Sequence, residues 1–169
     1  MESQTKIISM LVENKPGVLH AVANLFRRRN FNIESITVGP TEHSETARMT
    51  ITVNGDEHTI DQIIKQVAKL IDVLKVEELE KGSFVMRELA LIKIKVPSPK
   101  ERSDIINCTE VFRGRIIDVS MDSLTVEITG TPDKIDAFLN LMKATGILEL
   151  ARTGITALAR GAKSIRIDE

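Results

Sequence analysis

The sequence predicts an α+β protein built from two ferredoxin-like βαββαβ domains, and three observations carry that expectation. The order of hydrophobic periodicities is strand, helix, strand, strand, helix, strand, and it occurs twice. An internal repeat links the halves: "MTITVNGDEHTIDQI" from Met49 and "LTVEITGTPDKIDAF" from Leu124 share the Thr, the Gly and the Ile-Asp pair at one offset. Within it Met49, Ile51 and Val53 align with Leu124, Val126 and Ile128. Finally, 169 residues suit two small domains, each with two helices on one face of a four-stranded antiparallel sheet. Cores that thin leave a bare sheet face and free edges, so a partner, most simply a second copy of the chain, is expected to cover them.

In the first half, Lys6 to Val12 is nearly all apolar and reads as a central strand. Pro16-Gly17 interrupts it. Val18, Leu19, Val22, Leu25 and Phe26 then follow at helical spacing, and Asn30 is placed to take a left-handed C-cap conformation. Phe31 to Val38 reads as the second strand, with a slip in alternation at Glu34-Ser35 that suggests a bulge. Arg48 to Asn54 is the third, with Met49, Ile51 and Val53 on one face and Thr50, Thr52 and Asn54 on the other. Gly55-Asp56 starts a helix with the stripe Ile60, Ile63, Ile64, Val67 and Ile71, and a strand follows from about Asp72 to Leu79. Lys81-Gly82-Ser83 reads as a linker between a domain over 1–80 and one over 84–160, with 161–169 as a tail.

The second half repeats the order. Leu89 to Val96 is a strand, and Ser98-Pro99-Lys100-Glu101 is a helix start with a Ser cap, Pro at the first helical position and Glu closing a capping box. Ile116 to Ser120 and Leu124 to Thr129 are strands. Thr131-Pro132 opens a helix with Ile135, Phe138, Leu139 and Met142 on one face, and Ile147 to Ala151 is the last strand.

Composition excludes several classes. Net charge is −1 with both signs interleaved, so no overall field calls for nucleic acid or an anionic membrane. No apolar run reaches the roughly 18–20 residues of a membrane span, and the N-terminus has no basic segment followed by an apolar core. The single Cys108 rules out an intrachain disulfide and fits a reducing cytosol, so a cytoplasmic protein is expected. With five Phe and no Tyr or Trp, neither central strand of the first domain carries an aromatic, which removes the base-stacking surface an RNA recognition motif needs. His20, His43, His58 and Cys108 have no metal-ligand spacing, Glu77, Glu78 and Glu80 read as a solvated face, and no phosphate-loop or dinucleotide motif occurs. No catalytic residue and no metal ligand is therefore assigned.

One segment has the makings of a binding site: "VENKPGVLHAV", Val12 to Val22. The first N–H groups of a helix lack internal partners and carry the positive end of its dipole, which suits a carboxylate. Gly17 leaves the backbone bare, Asn14 offers a donor and an acceptor, and Val18 and Leu19 can contact a short aliphatic side chain. The same residues also make an ordinary strand-to-helix connection.

"VENKPGVLHAVANLFRRRNFNIESITVGPTE" resembles the opening of an ACT domain, a βαββαβ amino-acid-binding module. More specifically, the chain resembles the small regulatory subunits of acetohydroxyacid synthase (acetolactate synthase). The strings that carry this are "NIES-T-V-PT" at Asn32 to Thr41, "RMTI" at Arg48, "KL-DVL-V--L" at Lys69 to Leu79 and "RE--L-K" at Arg87 to Lys93. The second half adds "EVFRGRIIDVS" from Glu110, "DAFL" from Asp136 and "ARTGITALARG" from Ala151. The resemblance covers almost the whole chain and makes 1–80 the ACT domain.

The resemblance implies a partner, a separate catalytic subunit that condenses two pyruvates, or pyruvate with 2-oxobutyrate, using thiamine diphosphate, magnesium (Mg) and a flavin (FAD); no cofactor is expected on this chain. It implies that the small subunit raises that activity and confers feedback inhibition by a branched-chain amino acid, most often valine. It also implies an effector held between two ACT domains of a homodimer. The β1–α1 loop of one chain, Asn14, Gly17, Val18 and Leu19, would face the start of strand 2 of the other, Asn32 and Ile33. A stand-alone ACT-type transcription regulator fits less well, because no helix-turn-helix or basic recognition helix is present.

Overall fold

Residues 4–166 are described by the computed structural model, and they fold as two units. The first takes the chain up to Val85 and again from Ile155, and the second takes Met86–Gly154. The elements of the first unit are β1 (Gln4–Glu13), α1 (Val18–Arg28), β2 (Ser35–Pro40), β3 (Thr46–Gly55), α2 (Glu57–Val67) and β4 (Val73–Leu79). The strands form one antiparallel sheet in the order β2-β3-β1-β4, the expected βαββαβ layout. Alternate residues of β1 and β3, among them Ile8, Met10, Met49 and Ile51, point to one face and are fully buried against Val22, Phe26, Ile60 and Ile63 of the helices. Each such side chain contributes roughly 1.5–3 kcal/mol relative to exposure.

Local signals set the helix ends. Asn30 adopts φ 57° as expected. Around it the Asn30 N–H donates to the Arg27 carbonyl and the Phe31 N–H to the Phe26 carbonyl, and the Phe26 and Phe31 rings meet edge to face at 6.3 Å. That is a complete Schellman motif with its apolar contact, and it explains why the second strand starts late. Phe31 is spent closing α1, so residues 31–34 are not strand and β2 begins at Ser35. The β2–β3 register runs unbroken from Ser35 to Pro40, and just before it the Glu34 N–H donates at 2.9 Å to the carbonyl of Thr52, the residue opposite Ser35, so two residues face one at the slip expected at Glu34-Ser35. Asp56 caps α2 by accepting from the Thr59 N–H at 2.8 Å. The stripe of α2 ends earlier than its spacing suggests: Ile60, Ile63 and Val67 are buried, whereas Ile71 lies beyond the helix and is 91% exposed.

The second unit contains most of β5 (Phe84–Lys95), then α3 (Pro99–Val111), β6 (Arg115–Val119), β7 (Ser123–Gly130), α4 (Pro132–Met142) and β8 (Ile147–Arg152), in the sheet order β6-β7-β5-β8. Ile92, Ile94, Val126 and Ile128 pack against Ile105, Ile135, Phe138 and Met142, so the α4 stripe is as expected. Ser98 caps α3, but the box closes differently: the Ser98 hydroxyl donates to the Glu101 carboxylate while accepting from the Lys100 N–H.

The chain then returns to the first unit. A strand not anticipated from the sequence, β9 (Thr156–Ala159), pairs with β5, whose first two residues belong to the first unit. The Thr37 hydroxyl donates to the Ile155 carbonyl, Arg160 donates to Ser83 and Phe84 carbonyls, and Ala157 and Ile165 are buried. By compactness the chain from Ile155, inside the domain expected over 84–160, groups with the first unit, and of the tail expected over 161–169 Ile165 is buried; residues 167–169 lie outside the described residues. The sheet face away from the helices is accordingly not bare. Ile7, Ser9, Leu11, Thr50 and Thr52 are all buried, so part of the covering assigned to a partner comes from the chain itself. Its polar members are satisfied: Ser9 accepts from Arg48 and Thr52 shares a hydrogen bond with Ser35.

Candidate functional site

Glu13 ends β1, and after a loop of four residues Val18 starts α1. Gly17, at the N-cap, has φ 91° and ψ −18°, a left-handed conformation that lets the chain turn at once into the helix. The first intrahelical bond runs from the Ala21 N–H to the Gly17 carbonyl, so the N–H groups of Val18, Leu19 and His20 precede it, and no side chain caps this end. A Cβ at Gly17 would meet no atom within 4 Å. An open space therefore stands before an uncapped helix terminus.

The neighbouring charges are already matched. Lys15 pairs with Glu13 and, at 2.7 Å, with Asp72; hydrogen bonding to Asp72 first and Glu13 second holds its ammonium above the usual lysine range. An anion at this loop therefore meets the helix terminus rather than a free lysine. Asn14 is anchored to the β2–β3 hairpin loop: its backbone N–H donates to the Glu45 carbonyl at 2.8 Å and its side-chain amide to the Ser44 carbonyl at 2.9 Å. One of the two amide N–H donors of Asn14 is thus engaged, and its second N–H and its side-chain oxygen are what it has to offer. Val18 is 3% exposed and packs in the core, so it presents its N–H but not its side chain, while Leu19, 48% exposed, supplies the apolar surface.

Asn32 and Ile33 lie elsewhere. They follow the C-terminal end of α1, and its 11 residues span roughly 16 Å. With Phe26, Arg27, Asn30 and Phe31 they line a cavity of about 410 Å³. The Asn32 amide donates to the Glu34 carboxylate at 2.7 Å, and Ile33 packs against the first core. The six residues therefore form two clusters, one at each end of a helix, and a single chain does not bring them onto one small ligand. The hairpin loop 41–46 was missed as a support of the first cluster, because nothing in its pattern marks Ser44 and Glu45 as acceptors for a residue thirty positions away.

Three of the strings quoted above meet in the second unit instead. Arg152 donates Nε and Nη2 to Glu88, at 2.7 and 2.8 Å, and Nη1 to Asp136 at 2.7 Å. Glu88 is 5% exposed, so this is a buried bidentate pair whose role is to hold β5, β8 and α4 together. Cys108 is partly buried against the second core, and desolvation pushes its thiol up, away from a nucleophile's range. Among the described residues no group of three or more His, Cys, Asp or Glu is placed to hold a metal, and no helix is long and apolar enough to cross a membrane.

Two βαββαβ units in one chain, with an uncapped glycine-fronted helix in the first, define an ACT-type protein. Comparison with known proteins agrees: residues 8–75 match the AHAS small subunit-like ACT domain, and residues 87–161 match the family described as the small subunit of acetolactate synthase. A probable acetolactate synthase small subunit of Methanothermobacter thermautotrophicus is 58% identical, with 98% of each chain covered. The acetolactate synthase small subunit of Mycolicibacterium smegmatis is 46% identical over 95% of this chain and 94% of that one. The crystal structure of the small subunit from Thermotoga maritima superposes with a TM-score of 0.88 at 46% identity, covering 95% and 99% of the two chains. The chain belongs to the acetolactate synthase small-subunit family.

Proposed function

We propose that this chain is a non-catalytic, effector-responsive subunit: it joins an acetolactate synthase catalytic subunit, raises its activity and makes it sensitive to a branched-chain amino acid, most simply valine. The observation that carries the effector reading is the open space before the uncapped α1 terminus at Gly17. The effector carboxylate docks on the N–H groups of Val18, Leu19 and His20, the Asn14 side-chain oxygen takes its ammonium, and Leu19 contacts its aliphatic chain. Two clusters at opposite ends of α1 complete one site only if a second chain brings Asn32 and Ile33 to the loop, so the working form is a homodimer. Thiamine diphosphate, magnesium and flavin belong to the catalytic subunit, and the complex is cytoplasmic.

Calorimetric titration of the purified chain with valine, leucine and isoleucine at two protein concentrations tests this. Saturable binding that weakens on dilution is expected, since completing the site and forming the dimer are linked. Heat from none of the three, or turnover of pyruvate by the isolated chain, would contradict it.

A further inference from the structure

A second cavity, of about 730 Å³, lies in the first unit between the β2–β3 hairpin end and the C-terminal segment; no residue of the Gly17 loop lines it, although the hairpin loop it shares is the one that anchors Asn14. That volume is within the range of about 300–1,000 Å³ typical of small-molecule sites. Leu11, Leu158 and Ile165 give it an apolar wall, and Arg48 and Arg166 bring two guanidinium groups to it. Among the described residues the only carboxylate of the lining is Glu42, whose side chain is 83% exposed and stands 4.0 Å from His43. Arg48 is half-buried and donates to the fully buried Ser9 hydroxyl at 2.7 Å, which fixes its direction. Among the described residues neither Arg48 nor Arg166 forms an ion pair.

From this arrangement we infer that the cavity is a second ligand site, distinct from the Gly17 loop, which takes a small aliphatic monocarboxylate. A half-buried guanidinium without a counter-ion is costly to keep, and a carboxylate is the planar anion its fork matches. The apolar wall fits a short hydrocarbon chain. Among the described residues the lining has no Phe, Tyr or Trp and its one imidazole, His43, is 77% exposed, so a nucleobase has no buried stacking platform, and no buried anion is there to receive the ammonium of an amino acid.

Methyl NMR of the full chain, titrated with isovalerate and with its neutral amide, tests the inference. Saturable shifts at the methyls of Leu11, Leu158 and Ile165 are expected with isovalerate and not with the amide. Arg48→Gln, which keeps a donor for Ser9, and Arg166→Gln, on the exposed end of the segment, should each weaken binding about 10- to 100-fold, the loss of a charge-assisted hydrogen bond. Because Asp168 and Glu169 lie outside the described residues, a chain ending at Arg166 is titrated as well, and binding as tight or tighter is expected. No saturable shift, equal binding of the amide, unchanged affinity in both arginine variants, or loss of binding in the shortened chain would each overturn the assignment.

Discussion

Replacing Gly17 separates backbone strain from charge. Its φ of 91° is one that residues with a Cβ rarely adopt, yet nothing lies within 4 Å of where that Cβ would be. Gly17→Ala therefore costs only conformational strain, about 1–2 kcal/mol of stability, and leaves the helix N–H groups open. Gly17→Asp carries comparable strain, but sets a carboxylate where the effector's own would sit. Two unit charges about 5 Å apart repel by about 0.8 kcal/mol in water and about 3 kcal/mol at an effective dielectric of 20. The new side chain also accepts the free N–H groups as a cap does, which deepens the competition. Calorimetry should give a valine affinity for Gly17→Asp roughly 5- to 150-fold below that of Gly17→Ala, with melting temperatures of the two variants close together. Activation of the catalytic subunit should persist in both. Equal affinities for the Ala and Asp variants would refute a carboxylate at the helix terminus.

Asn32→Ala should weaken the effector by about 1–3 kcal/mol, and a mixed dimer of Gly17→Asp and Asn32→Ala chains should recover one working site, seen as half the stoichiometry in calorimetry; mixed dimers that bind no better than the parents would remove the shared-site geometry. Arg152→Ala strands the buried Glu88 carboxylate and should cost about 3 kcal/mol, the low end for a broken buried pair because Arg152 keeps 30% side-chain exposure; a melting temperature lower by about 6–12 °C is the check. Glu101 has its carboxyl held below the usual range, chiefly by the Ser98 hydroxyl, so its contribution is present above the ordinary carboxylate pKa and fades as pH falls through the depressed one. The stability gap between the native chain and Glu101→Gln should therefore be full above the ordinary carboxylate range and close as pH falls below it in denaturant titrations, and a gap independent of pH would argue against it.

The sequence was most legible where short-range pattern and tertiary role coincide. The α4 stripe of Ile135, Phe138, Leu139 and Met142 is the buried set, and Asn30 takes the left-handed turn its position suggested. It misled where a distant segment decides. Thr50 and Thr52 alternate like a solvent face, yet they are 1% and 2% exposed in the folded chain, and the Thr52 hydroxyl is paired with that of Ser35. β9 escaped notice because Thr-Ala-Leu-Ala is too short and small-sided to carry a period. Ile71 continues a helical spacing past a helix that has already ended at Val67. At the candidate site, the Gly17 turn could be read locally, whereas the engagement of Asn14 by Ser44 depends on a hairpin loop folded against it.

The return of the C-terminal segment also bears on how the protein is made. As the chain leaves the ribosome, the first sheet and its helices can form once Val85 has emerged, but their covering segment is still about 70 residues away. At roughly 5–20 residues per second that is a wait of roughly 4–14 seconds, during which Leu11 stands without Leu158 and Ile165, the apolar residues it shares a cavity with. The nascent chain thus passes through a state with apolar surface on offer, in which a chaperone or another nascent chain meets a face that the finished protein has largely closed.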